Sequence, residues 1–379
     1  MIAAIEKQVI FEGRKGGTAW FHPRACRVPA SGGAYILMTC QPITGSDVFG
    51  QVHWTITRDN GKTWTQPEPI NALERTTMPD GLENGVCDIV PEYHARTNTV
   101  LAMGHNVYYK DNVLARPSEG RYAVYCVRDA GGNWGPLQRL EWDDPDATAI
   151  YTCGCAQRVT MENGDVLVAL SFGPKGRPDR MVGSVLCSFD GKRMAVLESG
   201  NKLELSVKRG LLEPSLAFHD GRYYMTIRAE DNRGYVSVSD GGLRWAPQKP
   251  WAWDDGEALT MSTTQQRWLP RGDALFLVYT RKDALNINVM RWRSPLYVAQ
   301  VDTKRLCLIR GTERVALPLI GDGVNNAKHV AHMGNFHTVA ASREESWVTV
   351  GEILPDDGWS GDTLMARIRW ERPNTLVEN

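Results

Sequence analysis

The sequence predicts an all-β protein built as a six-bladed propeller, and two observations carry this prediction. The first is a repeated turn, in which Gly follows Asp by two residues and Trp follows it by five, at 59–64, 129–134 and 240–245. The second is the spacing of these turns and of two weaker copies at Asp190 and Asp302, which is 70, 61, 50 and 62 residues. A repeat of this length fits a four-stranded blade with its loops, and the chain holds roughly six of them.

The repeated turn combines residue types that favour a hairpin. Asp accepts hydrogen bonds from backbone N–H groups, Gly takes the position with positive φ, and Trp packs beneath the loop. Between the turns lie short β-branched or aromatic segments bounded by Gly or Asp, as strands are; they include 34–38, 166–170, 223–227 and 274–279. Sustained helical periodicity is hard to find, and no Pro/Ser-rich or charged linker divides the chain. We therefore expect one all-β domain over 1–379.

Composition excludes several classes of function. With 43 basic and 44 acidic residues the formal net charge is -1, so no overall field attracts nucleic acid or a membrane surface. The N-terminus lacks the basic start and apolar run of a signal peptide, and no stretch reaches the length of a membrane span, which predicts a cytoplasmic protein. The 8 cysteines are scattered, and Cys153 and Cys155 are too close for a usual zinc pair. We expect buried thiols, no metal and no cofactor.

The ends of the innermost strands are where a site is expected, because these strands converge on the propeller axis. If the second strand of each repeat is the one that ends there, the residues brought together are Gln41, His105, Phe172, Arg228, Arg281 and Glu352. Most of them are polar, although loop positions are ordinarily polar as well. Substrate-binding roles are predicted for Gln41, His105, Arg228 and Arg281.

Four further motifs lie outside the repeated turns. They are Arg27-Val28-Pro29 before an apolar strand, Gly45-Ser46-Asp47 before the strand that leads into the first turn, Glu213-Pro214-Ser215-Leu216 followed by the hairpin 220–228, and Arg293-Ser294-Pro295 nine residues before Asp302, with Arg291 close by. Together with the Asp turns, these motifs resemble the sialidase superfamily, whose six-bladed propellers carry Asp-box turns. The resemblance implies a glycosidase acting on an acidic sugar.

The same resemblance implies a role for each motif. Arg27, Arg228 and Arg293 match the three arginines that bind the substrate carboxylate in that family. Asp47 matches the general acid/base, and Glu213 matches the Glu that polarises a Tyr nucleophile. The residue types suit these roles, because Arg binds carboxylate in a planar, bidentate way that Lys cannot reproduce.

Two parts of the family pattern are missing. The family's flanking basic or acidic residues do not appear at the end of the first hairpin, where the sequence has Cys40-Gln41-Pro42. The segment that corresponds to the family's Tyr, 333–339, contains no Tyr. A covalent sugar–Tyr intermediate would then need another tyrosine, and the candidates are Tyr151, Tyr279 and Tyr297. Otherwise Glu213 or Asp47 serves as base in an inverting hydrolysis, or a His or Tyr serves as base in an elimination from a uronic acid. The histidines considered for that step are His105, His329, His332 and His337.

Three functions follow from these observations. The first is an exo-acting glycoside hydrolase that removes a terminal sialic or uronic acid from a glycan. The second is a polysaccharide lyase or another glycosidase acting on a uronate- or rhamnose-containing polysaccharide. The third is a propeller that binds carbohydrate or protein without catalysis, since this architecture hosts all three kinds of function. The sequence leaves the sugar, the linkage and the oligomeric state open.

Overall fold

The protein is a β-propeller in the computed structural model, which describes residues 1–116 and 120–377. Its strands, in chain order, are β1 (Ile2–Phe11), β2 (Trp20–Val28), β3 (Tyr35–Gly45), β4 (Val48–Phe49), β5 (His53–Thr57), β6 (Glu68–Pro69), β7 (Thr76–Thr77), β8 (Glu83–His94), β9 (Thr99–Lys110), β10 (Val113–Ala115), β11 (Arg121–Arg128), β12 (Gln138–Arg139), β13 (Ile150–Thr152), β14 (Val159–Thr160), β15 (Val166–Gly173), β16 (Met181–Phe189), β17 (Met194–Ser199), β18 (Leu212–His219), β19 (Arg222–Arg228), β20 (Gly234–Ser239), β21 (Lys249–Pro250), β22 (Arg267–Arg271), β23 (Ala274–Tyr279), β24 (Leu296–Asp302), β25 (Cys307–Leu308), β26 (Arg314–Leu317), β27 (Phe336–Ala340), β28 (Glu345–Gly351) and β29 (Thr363–Trp370). Short 3₁₀ turns occupy Asn71–Leu73, Met290–Trp292, Arg310–Thr312 and Ala327–His329. Within the described ranges, no helix is long and apolar enough to cross a membrane.

The described strands form five hydrogen-bonded sheets rather than the six separate blades expected. Four of these sheets contain β1-β29-β28-β27, β2-β3-β5-β6 with β4, β18-β19-β20-β21, and β22-β23-β24-β25 with β26. The fifth has 11 strands, because β13 pairs with β11 on one side and with β15 on the other. The short strand β13 therefore joins the strands of two predicted repeats into one continuous sheet.

The two ends of the chain meet in one of these sheets. β1 pairs antiparallel with β29, from Ile2 opposite Trp370 to Phe11 opposite Thr363. Apolar side chains of β28 and β29 pack against β22 and β23 of the neighbouring sheet in one buried cluster. The ring is thus closed by pairing between segments that are far apart in the sequence.

Most of the repeated turns have the predicted hydrogen bonds. The carboxylate of Asp59 accepts from the N–H and the hydroxyl of Thr63 at 2.9 and 2.6 Å, and that of Asp129 accepts from the N–H of Asn133 at 2.8 Å. The two weaker copies likewise accept from backbone N–H groups. Asp240 differs, because its exposed carboxylate accepts from an arginine side chain at 2.9 Å.

The strands nearest the axis are the first strands of the repeats, which corrects the expectation that the second strands line it. β2 lies against β8 and β27, and β22 lies against β18 and β27. Three of these strands, β2, β8 and β18, run in the same sense along the axis. His22, Asp88 and Glu213 on these strands line a cavity at one end, and later residues of each strand line a depression at the other. We refer to these as the cavity end and the far end.

Candidate functional site

The cavity end holds a pocket of ≈ 520 Å³ whose wall is strongly charged. Seven arginines line it: Arg116, Arg121, Arg180, Arg209, Arg228, Arg291 and Arg293. Among the residues that the structure describes, four carboxylates face them: Asp47, Asp88, Glu213 and Glu230. The excess of three positive charges among these described lining residues favours an anionic ligand.

Bulges in the inner strands direct polar side chains into this cavity. The pairing register shifts at Phe21/Arg24 in β2, at Cys87/Val90 in β8 and at Leu212/Ser215 in β18. The residues inside these shifts, His22, Asp88 and Glu213, have φ values of 52, 55 and 44°. A bulge turns a side chain away from the regular alternation of a strand. Positive φ at a non-glycine residue costs on the order of 1–3 kcal/mol, so the surrounding fold must hold these residues in place.

Glu213 and Arg228 form a close ion pair in the wall. Nη1 of Arg228 donates to Oε1 of Glu213 at 2.5 Å, and its Nε donates to the hydroxyl of Thr263 at 3.2 Å. Burial by itself raises the pKa of Glu213, but the charge of Arg228 and its hydrogen bond outweigh burial and lower that pKa below its usual value. Glu213 is therefore held as a carboxylate, a form suited to a base and unsuited to a proton donor.

Arg293 lies beside this pair without an anionic partner among the described residues. Its Nε is buried and has no hydrogen bond there, and Gly334 leaves it room, because a Cβ on that glycine would lie 2.5 Å from Cδ and Nε. Burial, together with the nearby charges of Arg228 and Arg291, lowers the pKa of Arg293 to about 9. Three guanidinium groups crowded in this way are stabilised when an anion lies between them.

Asp47 occupies the mouth of the cavity. It follows β3 in the tight connection to β4, with φ 56°, and its side chain is exposed. The connection is anchored from below, because the hydroxyl of Tyr109 donates to the carbonyl of Asp47 at 3.1 Å.

Asp88 is the residue that the sequence-based prediction missed. Its Oδ1 lies 2.9 Å from Nη2 of the fully buried Arg24 and 3.2 Å from Nε2 of His22. Burial by itself raises the pKa of Asp88, but the facing His22 and Arg24 lower it well below its usual range. Burial lowers the pKa of His22 to about 4. Gln41 lies behind His22, with Oε1 3.4 Å from Nδ1, so it supports the wall and does not line the cavity.

His105 lines the cavity next to Asp88. Its Nε2 is 3.1 Å from Sγ of Cys87, and burial, followed by the charge of Arg121, lowers the pKa of His105 well below its usual value. Potential ligand atoms of Cys87, Asp88 and His105 lie within 4.8 Å of one another. Burial raises the pKa of the Cys87 thiol well above its usual value, and Asp88 already pairs with an arginine. The trio is therefore better suited to hydrogen bonding than to holding a metal ion.

Two predicted arginines lie outside the cavity. Arg27 is five residues beyond His22 on β2, about 16 Å further along the strand, and lines the far-end depression. Arg281 lies in another depression, where it donates to both carboxylate oxygens of Glu313 at 2.8 and 2.7 Å. The expectation that these two arginines join Arg228 and Arg293 is corrected.

The alternative tyrosines and most of the histidines are also elsewhere. The hydroxyl of Tyr151 donates to the carbonyl of Leu140 at 3.0 Å, and that of Tyr279 donates to Glu313 at 2.6 Å. Tyr297 stacks on Tyr279. Among the described residues no Tyr lines the cavity, and neither do His329, His332 and His337. The histidines that do line it are His22 and His105.

A sequence signal for the missed His22 and Asp88 exists in the first strands of the repeats. Both are polar residues inside otherwise largely apolar inner strands, as the predicted Glu213 is, and a proline follows His22 and Glu213 directly. Burying a charged or titratable side chain within an apolar strand is costly. Its presence there indicates that the side chain faces an open space. Arg228 and His105 lie on second strands and were predicted, whereas His22 and Asp88 lie on first strands and were missed.

No protein-family model and no curated protein matches the chain. Solved structures do match it. A protein of unknown function from Dyadobacter fermentans has a TM-score of 0.68 at 14% identity, over 97% of this chain and 100% of the other. A Hadza microbial sialidase has a TM-score of 0.68 at 14% identity, over 96% of this chain and 68% of the other.

Trypanosoma rangeli sialidase matches with a TM-score of 0.65 at 13% identity and 97% coverage of this chain. This chain spans 60% of the length of that enzyme. The fold is shared with sialidases. At these identities the likeness concerns the fold alone, so the chemistry must be argued from the cavity.

Proposed function

We propose that this protein is an exo-acting glycoside hydrolase that removes a terminal acidic sugar, a sialic or uronic acid, from a glycan. The observation that carries the proposal is the grouping of Arg228, Arg291 and Arg293 around one cavity with Glu213 and Asp47. The arginines provide a site for a carboxylate, and the two carboxyl groups provide the acid and base that glycoside hydrolysis requires.

The roles follow from the surroundings of each group. The substrate carboxylate occupies the space between the three arginines, which relieves their mutual repulsion. Asp47, at the mouth, protonates the leaving oxygen, while the ionised Glu213 accepts a proton from water. Asp88 adds a fixed negative charge that stabilises the positive charge developing on the sugar ring. Because no described Tyr lines the cavity, water attacks the sugar directly and the reaction inverts the anomeric configuration.

A panel of aryl glycosides of sialic acids and uronic acids tests this proposal. We expect release of the aryl alcohol from at least one acidic sugar, with the opposite anomer as first product in a proton NMR time course. Neutral glycosides of the same ring size serve as controls. Binding of acidic sugars without release of product would instead support a non-catalytic carbohydrate-binding propeller.

A lyase acting on a uronate polymer is the second candidate, and one observation favours it. His22 and His105 lie in the cavity, and burial lowers the pKa of both, so they are neutral and able to accept a proton at pH 7. A neutral imidazole near an arginine-bound uronate suits abstraction of the proton next to the carboxylate. An absorbance increase from an unsaturated uronate, without incorporation of solvent oxygen at the anomeric carbon, would identify this reaction.

The blade number is part of the same proposal. We count the eleven-stranded sheet as two blades, one from β7 to β12 and one from β14 to β17, joined at β13. Each half contains an antiparallel run like those of the other sheets. The chain is then a six-bladed propeller of the sialidase type.

A further inference from the structure

A second, smaller cavity of ≈ 170 Å³ adjoins the candidate site. The two cavities share Arg116, Arg121 and Arg180, whereas Arg228, Arg291 and Arg293 line the larger cavity and not the smaller one. The candidate site thus continues past its first group of arginines into a second basic region between β11 and β16. The proposed hydrolysis makes no use of this region.

The backbone holds Arg121 and Arg180 firmly. Arg121 begins β11, its N–H donates to the carbonyl of Ala149 at 3.1 Å, and its Nε donates to the carbonyl of Asn106 at 3.3 Å. Arg180 precedes β16, and its N–H and carbonyl bond to the segment 209–211 at 2.8 and 2.9 Å. Both side chains therefore leave fixed positions on the wall, as a preorganised binding site requires.

These two side chains differ from neighbouring arginines in their ion pairing. In residues 1–116 and 120–377 neither Arg121 nor Arg180 has an ion pair, whereas the adjacent Arg177 pairs with Asp179 and Arg209 pairs with Glu230. Burial, together with the charges of Arg121 and Arg209, lowers the pKa of Arg180 to about 10. The group remains protonated at neutral pH, so its repulsion with its neighbours persists until an anion binds.

We infer that the substrate carries a second acidic group, which binds between Arg116, Arg121 and Arg180 while the carboxylate of the terminal sugar binds the first group of arginines. This inference rests on the proposed function and specifies its substrate class as a doubly acidic glycan. A sulfate ester, a phosphate ester and a second carboxylate share the required chemistry, because each presents several oxygens to guanidinium N–H groups.

Binding calorimetry with the full chain tests the inference. Three uronate-terminated disaccharides of the same backbone are compared: one with no other charge, one with a sulfate ester on the second sugar and one with a second carboxylate there. We expect each doubly acidic disaccharide to bind about tenfold or more tightly than the singly acidic one, because charge-assisted hydrogen bonds to a second anion are added. The arm with the larger gain identifies which anion the region prefers.

Substitutions locate the source of that gain. In Arg180→Gln the ratio between doubly and singly acidic affinities falls to about one, whereas in Arg293→Gln both affinities fall and the ratio persists. Arg58→Gln is the matched control, because it removes the same charge from a separate surface depression. Arg121→Gln repeats the test with a second side chain, and thermal melting identifies any variant that fails to fold.

The outcomes separate this inference from the function on which it rests. If no acidic sugar binds the wild-type protein, the proposed function fails. If the singly acidic disaccharide binds through Arg293 but the second anion adds nothing, only the doubly acidic substrate is overturned. A ratio lowered as much by Arg58→Gln as by Arg180→Gln would overturn it as well, since the gain would then come from overall charge.

Discussion

Two carboxylate–arginine pairs lie at opposite ends of the propeller axis, and the two arginines make different contacts. At the cavity end, Arg228 lies 2.5 Å from Glu213 and lowers the pKa of that carboxyl. At the far end, Arg158 lies 3.6 Å from Glu92, and burial raises the pKa of Glu92 in spite of that arginine. Nη1 and Nη2 of Arg158 donate to backbone carbonyls, so this arginine ties strands together.

Residue type alone therefore does not identify a functional site. Both pairs combine an arginine with a glutamate of an inner strand beside an open space, yet Arg228 lowers the pKa of its carboxyl partner while Arg158 mainly bonds to backbone carbonyls. The decisive difference lies in the backbone: Glu213 lies in a strand bulge with positive φ, whereas Glu92 follows the regular pairing of β8. Strained backbone thus marks the end at which chemistry is proposed.

Exchanging each carboxylate for its amide should produce the largest contrast. We expect Glu213→Gln to lower kcat by about 10³-fold, because general-base assistance is lost, with KM little changed. Glu92→Gln should leave kcat within about twofold of wild type, because no reacting atom is near it. Steady-state kinetics on the best aryl glycoside measure both values. Equal losses in the two variants would contradict the functional difference between the ends.

The arginines offer the next contrast. We expect Arg293→Gln to weaken binding of an acidic monosaccharide by about 100-fold, since a charged, bidentate contact is removed from a desolvated site. Arg27→Gln, at the far end, should change that affinity by less than about twofold. Calorimetry measures both, and a neutral sugar of the same size shows whether the loss depends on charge. A large loss in Arg27→Gln would restore the placement that the sequence motif predicts.

Acid should destabilise the protein through its buried histidines. Burial lowers the pKa of His22 and His332 from 6.5 to about 4 in the folded chain. Their contribution to stability is therefore complete above pH 6.5 and is lost as the pH falls towards 4, at about 1.4 kcal/mol per pH unit for each histidine. Urea unfolding between pH 4.5 and 8 measures this slope. His332→Gln should flatten it, and an unchanged slope would exclude His332 as a contributor.

The smallest effect is expected at a repeated turn. Asp240 pairs with Arg222 at the surface through a single contact of 2.9 Å between largely exposed groups. Such pairs contribute little, so Asp240→Asn should shift Tm by no more than about 1 °C. Differential scanning calorimetry detects a shift of that size. A drop of several degrees would show that this turn is coupled to the packing around Trp245.

The sequence predicted the architecture better than the site. The Asp turns and their spacing indicated a propeller because they are local features that recur. Glu213, Arg228, Arg293 and Asp47 lie in one cavity, as the resemblance implied. The same local patterns could not show which strand of each repeat lies innermost, since that depends on packing between sheets.

The residues that were misplaced or missed depend on non-local geometry. Arg24 and Arg27 are three residues apart in the regularly paired part of β2, so their side chains project from opposite faces of the strand. Arg24 supports the cavity floor through Asp88, while Arg27 lies at the far end. Arg121 and Arg180 lie near each other because β13 joins the strands of two repeats. The spacing of the repeated turns in the sequence does not predict this connection.

The pairing of β1 with β29 has a consequence for how the polypeptide is made. Residues 2–11 are synthesised on the order of half a minute before their partner, 363–370. Throughout that interval an unpaired strand edge is exposed to other nascent chains. Glu6 and Lys7 place charges in the middle of β1. These charges disfavour pairing with a strand of another chain, so that β1 stays available to pair with β29.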